Sequence, residues 1–252
     1  MTERERQPAE PAVNTELEAL ATSRERQPAE PAVNTELEAL ATSVELTIAS
    51  VLQGIALAIL IPQIVGLITS GAIAKLPYIP ASLLLIFIVW IAFISHAISF
   101  ITWPFNLAHN LLYFLVVTSE AVLLTFLDRP APWFLSLTGF GLVMGLSYWY
   151  NLRSLRRYEQ RYATPAAQAL YAHLVYDQRA SLGFMAGYIL LGLFGYVALQ
   201  LRPEFGLPQE LGWAVTGLIA MVLPAIHVAW QFRLLAERTK LLERVKRDDV
   251  VI

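Results

Sequence analysis

The sequence predicts an all-α polytopic membrane protein with six transmembrane helices. Three observations carry that prediction. Apolar residues make up 56% of the 252 and charged residues only 15%, against roughly 25% charged in an ordinary soluble domain. Mean hydropathy is +0.54. From Val44 onward, six separate apolar runs are each long enough to cross a ~30 Å hydrocarbon core. The same composition excludes a disordered chain, and a net charge of −2 excludes a basic nucleic-acid binder, so no nucleic-acid partner is expected. The chain has no cysteine, which removes disulfides, thiolate metal sites and cysteine nucleophiles together.

Residues 1–43 form a polar tail with nine Glu, four Arg and no aromatic residue. They contain a perfect tandem repeat, RERQPAEPAVNTELEALATS, at 4–23 and again at 24–43. A unit this short and polar cannot bury a face against its neighbour as a solenoid repeat must. Asn14 and Asn34 each offer a helix N-cap with Glu in the following turn. The second copy is therefore expected to run as a helix from about Thr35 into the first span, and the first copy to be a frayed helix or disordered tail. An acidic, non-apolar N-terminus is not a cleavable signal, so the first span serves as an uncleaved anchor.

The spans are expected at about 46–68, 81–101, 106–127, 132–151, 181–201 and 211–232. Between Ala81 and Phe126 there is no Asp, Lys or Arg, and the one acid is Glu120. A hairpin at Thr102-Trp103-Pro104-Phe105 is expected between the second and third spans, where Pro ends one helix and suits the first turn of the next; the alternative is a single long span with a re-entrant segment. Charges orient the bundle. On one side lie Arg153, Arg156, Arg157, Arg161 and Arg179 in the 152–180 loop, with Arg233, Arg238, Lys240, Arg244, Lys246 and Arg247 in the tail. The other side has Lys75, Arg129 and Arg202. Eleven against three places both termini in the cytoplasm of a protein of the plasma (inner) membrane.

Two helical extensions are expected on the cytoplasmic side. The fourth span continues to about Tyr162, and Thr164-Pro165 then opens an amphipathic helix with Leu170, Tyr171, Leu174 and Val175 on one face. In the charged 233–252 tail, Leu234/Leu235, Leu241/Leu242 and Val245 repeat at about heptad spacing. That pattern suits a solvated helix with a basic face near anionic lipid, or a short coiled coil between subunits.

Intramembrane polar groups are where function is expected, because each is costly without a partner or a wet cavity. Glu120 lies ~5 Å from the midplane of the third span at 1.5 Å per residue. Asn106, Asn110, Tyr113 and Glu120 fall within ~80° of one another on a helical wheel, with His109 beside them. His96, His109 and His227 lie at one level of their spans, with Gln53 on the first span close to it. If helix order brings His96, His227 and Gln53 together, they form a cytoplasmic-side vestibule leading up the third helix to Glu120. The plainer alternative is that these groups hydrogen-bond between helices and fix packing. No HxxxH or ExxH spacing puts two ligands on one helix, so no metal and no cofactor is expected. No catalytic motif occurs, so no enzyme is expected. Small-residue rows at Ser50/Gly54/Ala58, Gly141/Gly145 and Gly183/Gly187 mark faces of close helix packing.

Trp90 followed by Ser95-His96, the run Asn110-Leu-Leu-Tyr-Phe-Leu and the Trp149-Tyr-Asn151-Leu-Arg153 exit resemble the prokaryotic six-helix potassium channels related to the lysosomal potassium channel. The likeness covers about 60 residues of spans two to four. It implies an oligomeric channel whose first helix lines the pore. That family's Arg-x-x-x-Phe-Ser-Asp motif is absent, since the equivalent stretch reads Glu36-Leu-Glu-Ala-Leu40-Ala41-Thr42, and no pore residue is carried over. The expected function is a channel or transport-type protein for a small cation or proton, with Glu120 as the charged site. Lipid and a homo-oligomer or membrane partner subunit are its expected associates. The rival is a non-catalytic membrane scaffold or accessory subunit whose polar stripe packs against a partner.

Overall fold

A computed structural model describes residues 29–99, 107–201 and 208–250. The chain divides into two units, Met1–Val44 and Glu45–Ile252. In the first, the described residues are helical from Ala29, six residues earlier than Thr35.

The described residues form six α-helices: α1 Ala29–Thr69, α2 Tyr78–Ser99, α3 Leu107–Leu124, α4 Pro130–Arg157, α5 Pro165–Leu201 and α6 Gln209–Val250. Four stretches are long and apolar enough to cross a membrane: Leu46–Thr69, Ile73–His96, Pro165–Leu201 and Gln209–Arg247. The apolar part of α3, Ala108–Leu124, is shorter. In α4, Gly, Ser, Trp and Tyr dilute the aliphatic residues. The expected hairpin at 102–105 and Asn106 lie outside the described residues.

Local chemistry accounts for the helix ends. After α1 the chain turns at Gly71 with φ +68, a backbone conformation that a Cβ would strain. Pro130 occupies the first turn of α4, where a missing N–H costs nothing. Before α5, the Thr164 Oγ1 accepts the Ala167 N–H at 3.2 Å, as the Thr-Pro pair predicted. The amphipathic helix expected after Pro165 is not separate, however. No breaker stands between Ala180 and Ser181, and α5 continues through both.

α4 packs between α3 and α5, and α6 packs on both α5 and α2. Glycine permits the tightest of these approaches. A Cβ on Gly192 would stand 2.3 Å from the Thr138 Oγ1, and one on Gly195 2.4 Å from the Phe134 ring. A Cβ on Gly141 would stand 3.0 Å from Ile189 and one on Gly187 3.1 Å from Leu223. By contrast, Cβ atoms on Gly54 and Gly183 would meet nothing within 4 Å. On α1 the buried residues Ala49, Gln53, Ala56, Leu60 and Leu67 form a single stripe. The remaining faces of its apolar part are exposed, which suits hydrocarbon rather than water.

A second, smaller core joins the far ends of α4, α5 and α6. Leu155, Tyr162, Ala167, Leu170, Leu174 and Val245 are buried there, with Leu241 and Leu242 against them. Of the heptad-spaced apolar residues of α6, Leu234 and Val245 are buried within the chain and Leu235, Leu241 and Leu242 are half-buried. Nor is the 233–252 segment solvated throughout: Arg238 is 2% exposed.

Candidate functional site

The buried face of α3 carries His109, Tyr113, Val116 and Glu120, spaced so that they rise in one line along the helix. Asn110 is half-buried beside that line. At its upper end Glu120 is 1% exposed, and the Gln53 Nε2 of α1 donates to its Oε2 at 3.4 Å. Neither the Glu120 Oε1 nor the Gln53 Oε1 has a hydrogen-bond partner among the described residues. The Tyr113 hydroxyl faces both Gln53 and Glu120, while its ring packs on Phe93 at 4.2 Å.

Lower down, the His96 and His109 rings stack at 4.2 Å, 12° from parallel. The His109 Nδ1 lies 3.2 Å from the Asn151 Oδ1. An amide oxygen only accepts, so this contact puts the imidazole proton on Nδ1. His96, His109 and Tyr113 line a cavity of ≈ 30 Å³ whose other walls include Asn151, Asp177, Gln178, Gln231 and Arg238. That is room for about two water molecules.

At the far end of the cavity Arg238 pairs with Asp177. Both are buried, at 2% and 3% exposure. The Arg238 Nη2 donates to the Asp177 Oδ2, and the Ser181 hydroxyl donates to Oδ1 at 3.4 Å. The Arg238 Nε and the Gln178 Oε1 have no hydrogen-bond partner among the described residues. Burying two charges is costly unless they pair well and their remaining polar atoms are satisfied. Here a donor and an acceptor are left over beside a small cavity, an arrangement that suits bound water.

His227 belongs to a separate arm between α5 and α6. The Gln231 Nε2 donates to the Ser181 Oγ at 3.3 Å and lies 3.3 Å from the His227 Nε2. His227 Nε2 therefore accepts, and its Nδ1–H donates to the Tyr188 hydroxyl at 3.2 Å. The His227 ring stacks on Phe184 at 4.2 Å. An amide that donates in both directions cannot pass a proton along, so this arm ties α5 to α6 and does not relay.

Of the residues singled out from sequence, the structure brings Gln53 to Glu120 and His96 to His109. It leaves His227 outside the cavity wall, so His96, His227 and Gln53 do not form one cluster: each sits on a different helix pair. Asn151, Asp177, Gln178 and Arg238 were missed. A signal for them exists in the sequence. His227, Gln231, Leu234 and Arg238 lie on one buried line of α6, as do Asp177, Ser181 and Tyr188 on α5. Reading the spans as ending at 181 and 232 cut both lines short. Among the described residues no group of three or more His, Cys, Asp or Glu could hold a metal ion.

No family model, curated protein or solved structure matches this chain.

Proposed function

We propose that this chain is an integral membrane protein of transport type that moves a small cation or proton along the buried polar face of α3. In this reading α3 and α4 are spans alongside the four long apolar helices. Both termini lie in the cytoplasm, the fold sits in the plasma (inner) membrane, and it works as a homo-oligomer or with a membrane partner subunit. The exposed Arg153, Arg156, Arg157, Arg179, Arg233 and Arg244 at the small-core end support that orientation. One observation carries the functional reading. A small cavity of mixed polar and apolar lining runs from the buried Asp177–Arg238 pair to Tyr113, and the buried Glu120 lies past Tyr113 on the same face of α3, outside the cavity lining. Carboxyls buried among membrane-spanning helices are rare and commonly mark ion and proton paths. Beyond Glu120 the path is closed by the fully buried Leu123, Leu124, Leu127, Trp133 and Phe134. This is the geometry expected of a carrier or gated channel with access from one side.

The test is flux of protons and of monovalent cations in proteoliposomes. Glu120→Gln keeps the size and the hydrogen-bonding capacity but removes the ionisable group. Flux lost in a variant of unchanged oligomer size supports transport. Equal, non-zero flux in the two proteins overturns the role of Glu120, and no flux in either returns the chain to the scaffold or accessory-subunit reading.

A further inference from the structure

Taking from the reading above that α4 spans the membrane with its Arg157 end in the cytoplasm, we infer that the groove where α4 gives way to α5 binds the phosphate headgroup of an anionic phospholipid, held by Arg156 and Arg157. The groove has a volume of ≈ 830 Å³ and is lined by Arg156, Arg157, Glu159, Gln160, Gln168 and Tyr171. The Tyr162 and Tyr171 rings, 5.3 Å apart, form one wall. Both arginines are exposed. Neither makes an ion pair among the described residues, whereas Arg233 and Arg238 each have a carboxylate partner. Among the described lining residues Glu159 is the one acid, and the Tyr171 hydroxyl faces it. Arg179 stands within electrostatic reach of the same tyrosine. The groove therefore keeps a net positive charge. Guanidiniums present paired N–H groups that match phosphate oxygens, and the Gln160 and Gln168 amides add neutral donors.

The face of α4 that leads to the groove selects a lipid over a soluble phosphate. Leu135, Leu142, Trp149 and Arg156 recur every seven residues, drifting only ~20° per step around the helix. All four are exposed. Along one open face the chain thus passes from aliphatic to aromatic to basic. That is the order of acyl chain, interfacial region and phosphate in a single lipid. Arg156 lies ~10 Å beyond Trp149 at 1.5 Å per residue. Helical side chains lean toward the helix N-terminus, here back toward the membrane, so the guanidinium reaches up to the headgroup level. Arg153 follows the same lean: its Cζ stands 5.8 Å from the centre of the Trp149 ring. A soluble phosphate would engage the arginines and leave the Leu–Trp track without a role.

Native mass spectrometry of the full-length protein in a non-ionic detergent tests this. Phosphatidylglycerol and phosphatidylcholine of identical acyl chains are titrated in, and the retained lipids are counted. Wild type is expected to hold one phosphatidylglycerol about 25-fold more tightly than phosphatidylcholine, at about fivefold per arginine. Arg156→Gln/Arg157→Gln should abolish that preference. Lys240→Gln/Arg244→Gln, which removes the same charge from exposed positions of α6, should keep it. Equal loss in both variants would mean that overall surface charge, not the groove, attracts the lipid, and overturns the inference. So does a wild type that binds the two lipids alike. Inorganic phosphate at millimolar concentration should not displace the lipid; displacement that needs Arg156 and Arg157 would make the ligand a soluble phosphate and overturn the assignment to lipid. Release of the wild-type protein from membranes by alkaline carbonate overturns the membrane reading and the inference together. Lipid selectivity without any flux overturns the transport reading alone.

Discussion

The two ends of the bundle handle buried polarity in opposite ways. At the end nearest Lys75 and Asp128, the interior is a plug of rings. Tyr78 meets Trp133 edge-on at 5.2 Å and Phe134 at 5.9 Å, and Leu123, Leu124 and Leu127 close around them. Each of its polar groups has a partner. The Trp133 indole N–H donates to Ser82 at 3.2 Å, Tyr78 and Thr216 share a hydrogen bond of 2.7 Å, and the Thr138 hydroxyl donates to the Phe134 carbonyl at 3.3 Å. Toward the opposite end, Gln178 and Arg238 beside the cavity each leave a buried polar atom unmatched, and Gln53 and Glu120 do so between the two ends. Leaving such a group unpaired costs about 1–3 kcal/mol, more if it is charged. Among the described residues, the polar groups around the plug are paired, whereas those beside the cavity and the Gln53–Glu120 contact keep unmatched atoms.

The contrast can be broken at several points. The largest effect is expected at the ion pair. Arg238→Met alone leaves a buried, unpaired Asp177 and should destabilise the protein by about 3–5 kcal/mol. The double variant Asp177→Leu/Arg238→Met should recover most of that loss. Thermal unfolding in detergent measures both, and a double variant as unstable as the single one would mean that the pair is not what holds this end together. In the plug, Trp133→Ala should cost about 3 kcal/mol through the cavity it leaves, and proton flux measured on the surviving folded fraction should turn leaky if the plug seals the path.

A smaller effect tests the close approach of α4 and α5. Gly192→Ala drives a Cβ to within 2.3 Å of Thr138 and 2.6 Å of the Phe134 carbonyl, which should cost about 1–3 kcal/mol. Gly183→Ala meets open space and should be neutral, or stabilising by up to about 1 kcal/mol through helix propensity. Equal melting temperatures for the two variants would refute the packing described for that helix pair. The smallest effect is expected in the α5–α6 arm. Tyr188→Phe removes one interhelical hydrogen bond, worth about 0.6 kcal/mol in a membrane protein. It should leave Glu120-dependent flux unchanged, because the Gln231 amide already interrupts any relay there. Loss of flux in that variant would show that the arm conducts after all.

The legible parts of this protein were those in which one segment carries its own signal. The six apolar runs correspond in order to the six helices, and the buried line of α3 includes Tyr113 and Glu120, two of the residues read from its polar stripe. The rotation of that line was less legible: His109 rather than Asn110 faces inward, a difference of 100° that neighbours decide. The glycine rows were partly legible. Gly141 and Gly187 do pack closely, whereas the tightest positions, Gly192 and Gly195, are spaced three apart and escape an i,i+4 search. Arg238 was read as a solvated tail residue because charge on a C-terminal helix is usually exposed. Only the facing Asp177 changes that.

What the sequence by itself determined is the all-α class, the order of the apolar helices and the presence of one carboxyl deep in the third. Hydropathy and helical period are properties of short windows, so they need no partner to be read. Which polar groups meet was decided by tertiary structure alone. Gln53 and Glu120 are 67 residues apart in the chain, and Asp177 and Arg238 are 61 apart. Each pair exists because helices distant in sequence lie side by side in the folded bundle. A hydrogen bond or ion pair of this kind depends on ångström-scale separation and rotation between helices, and no single window of the chain encodes either.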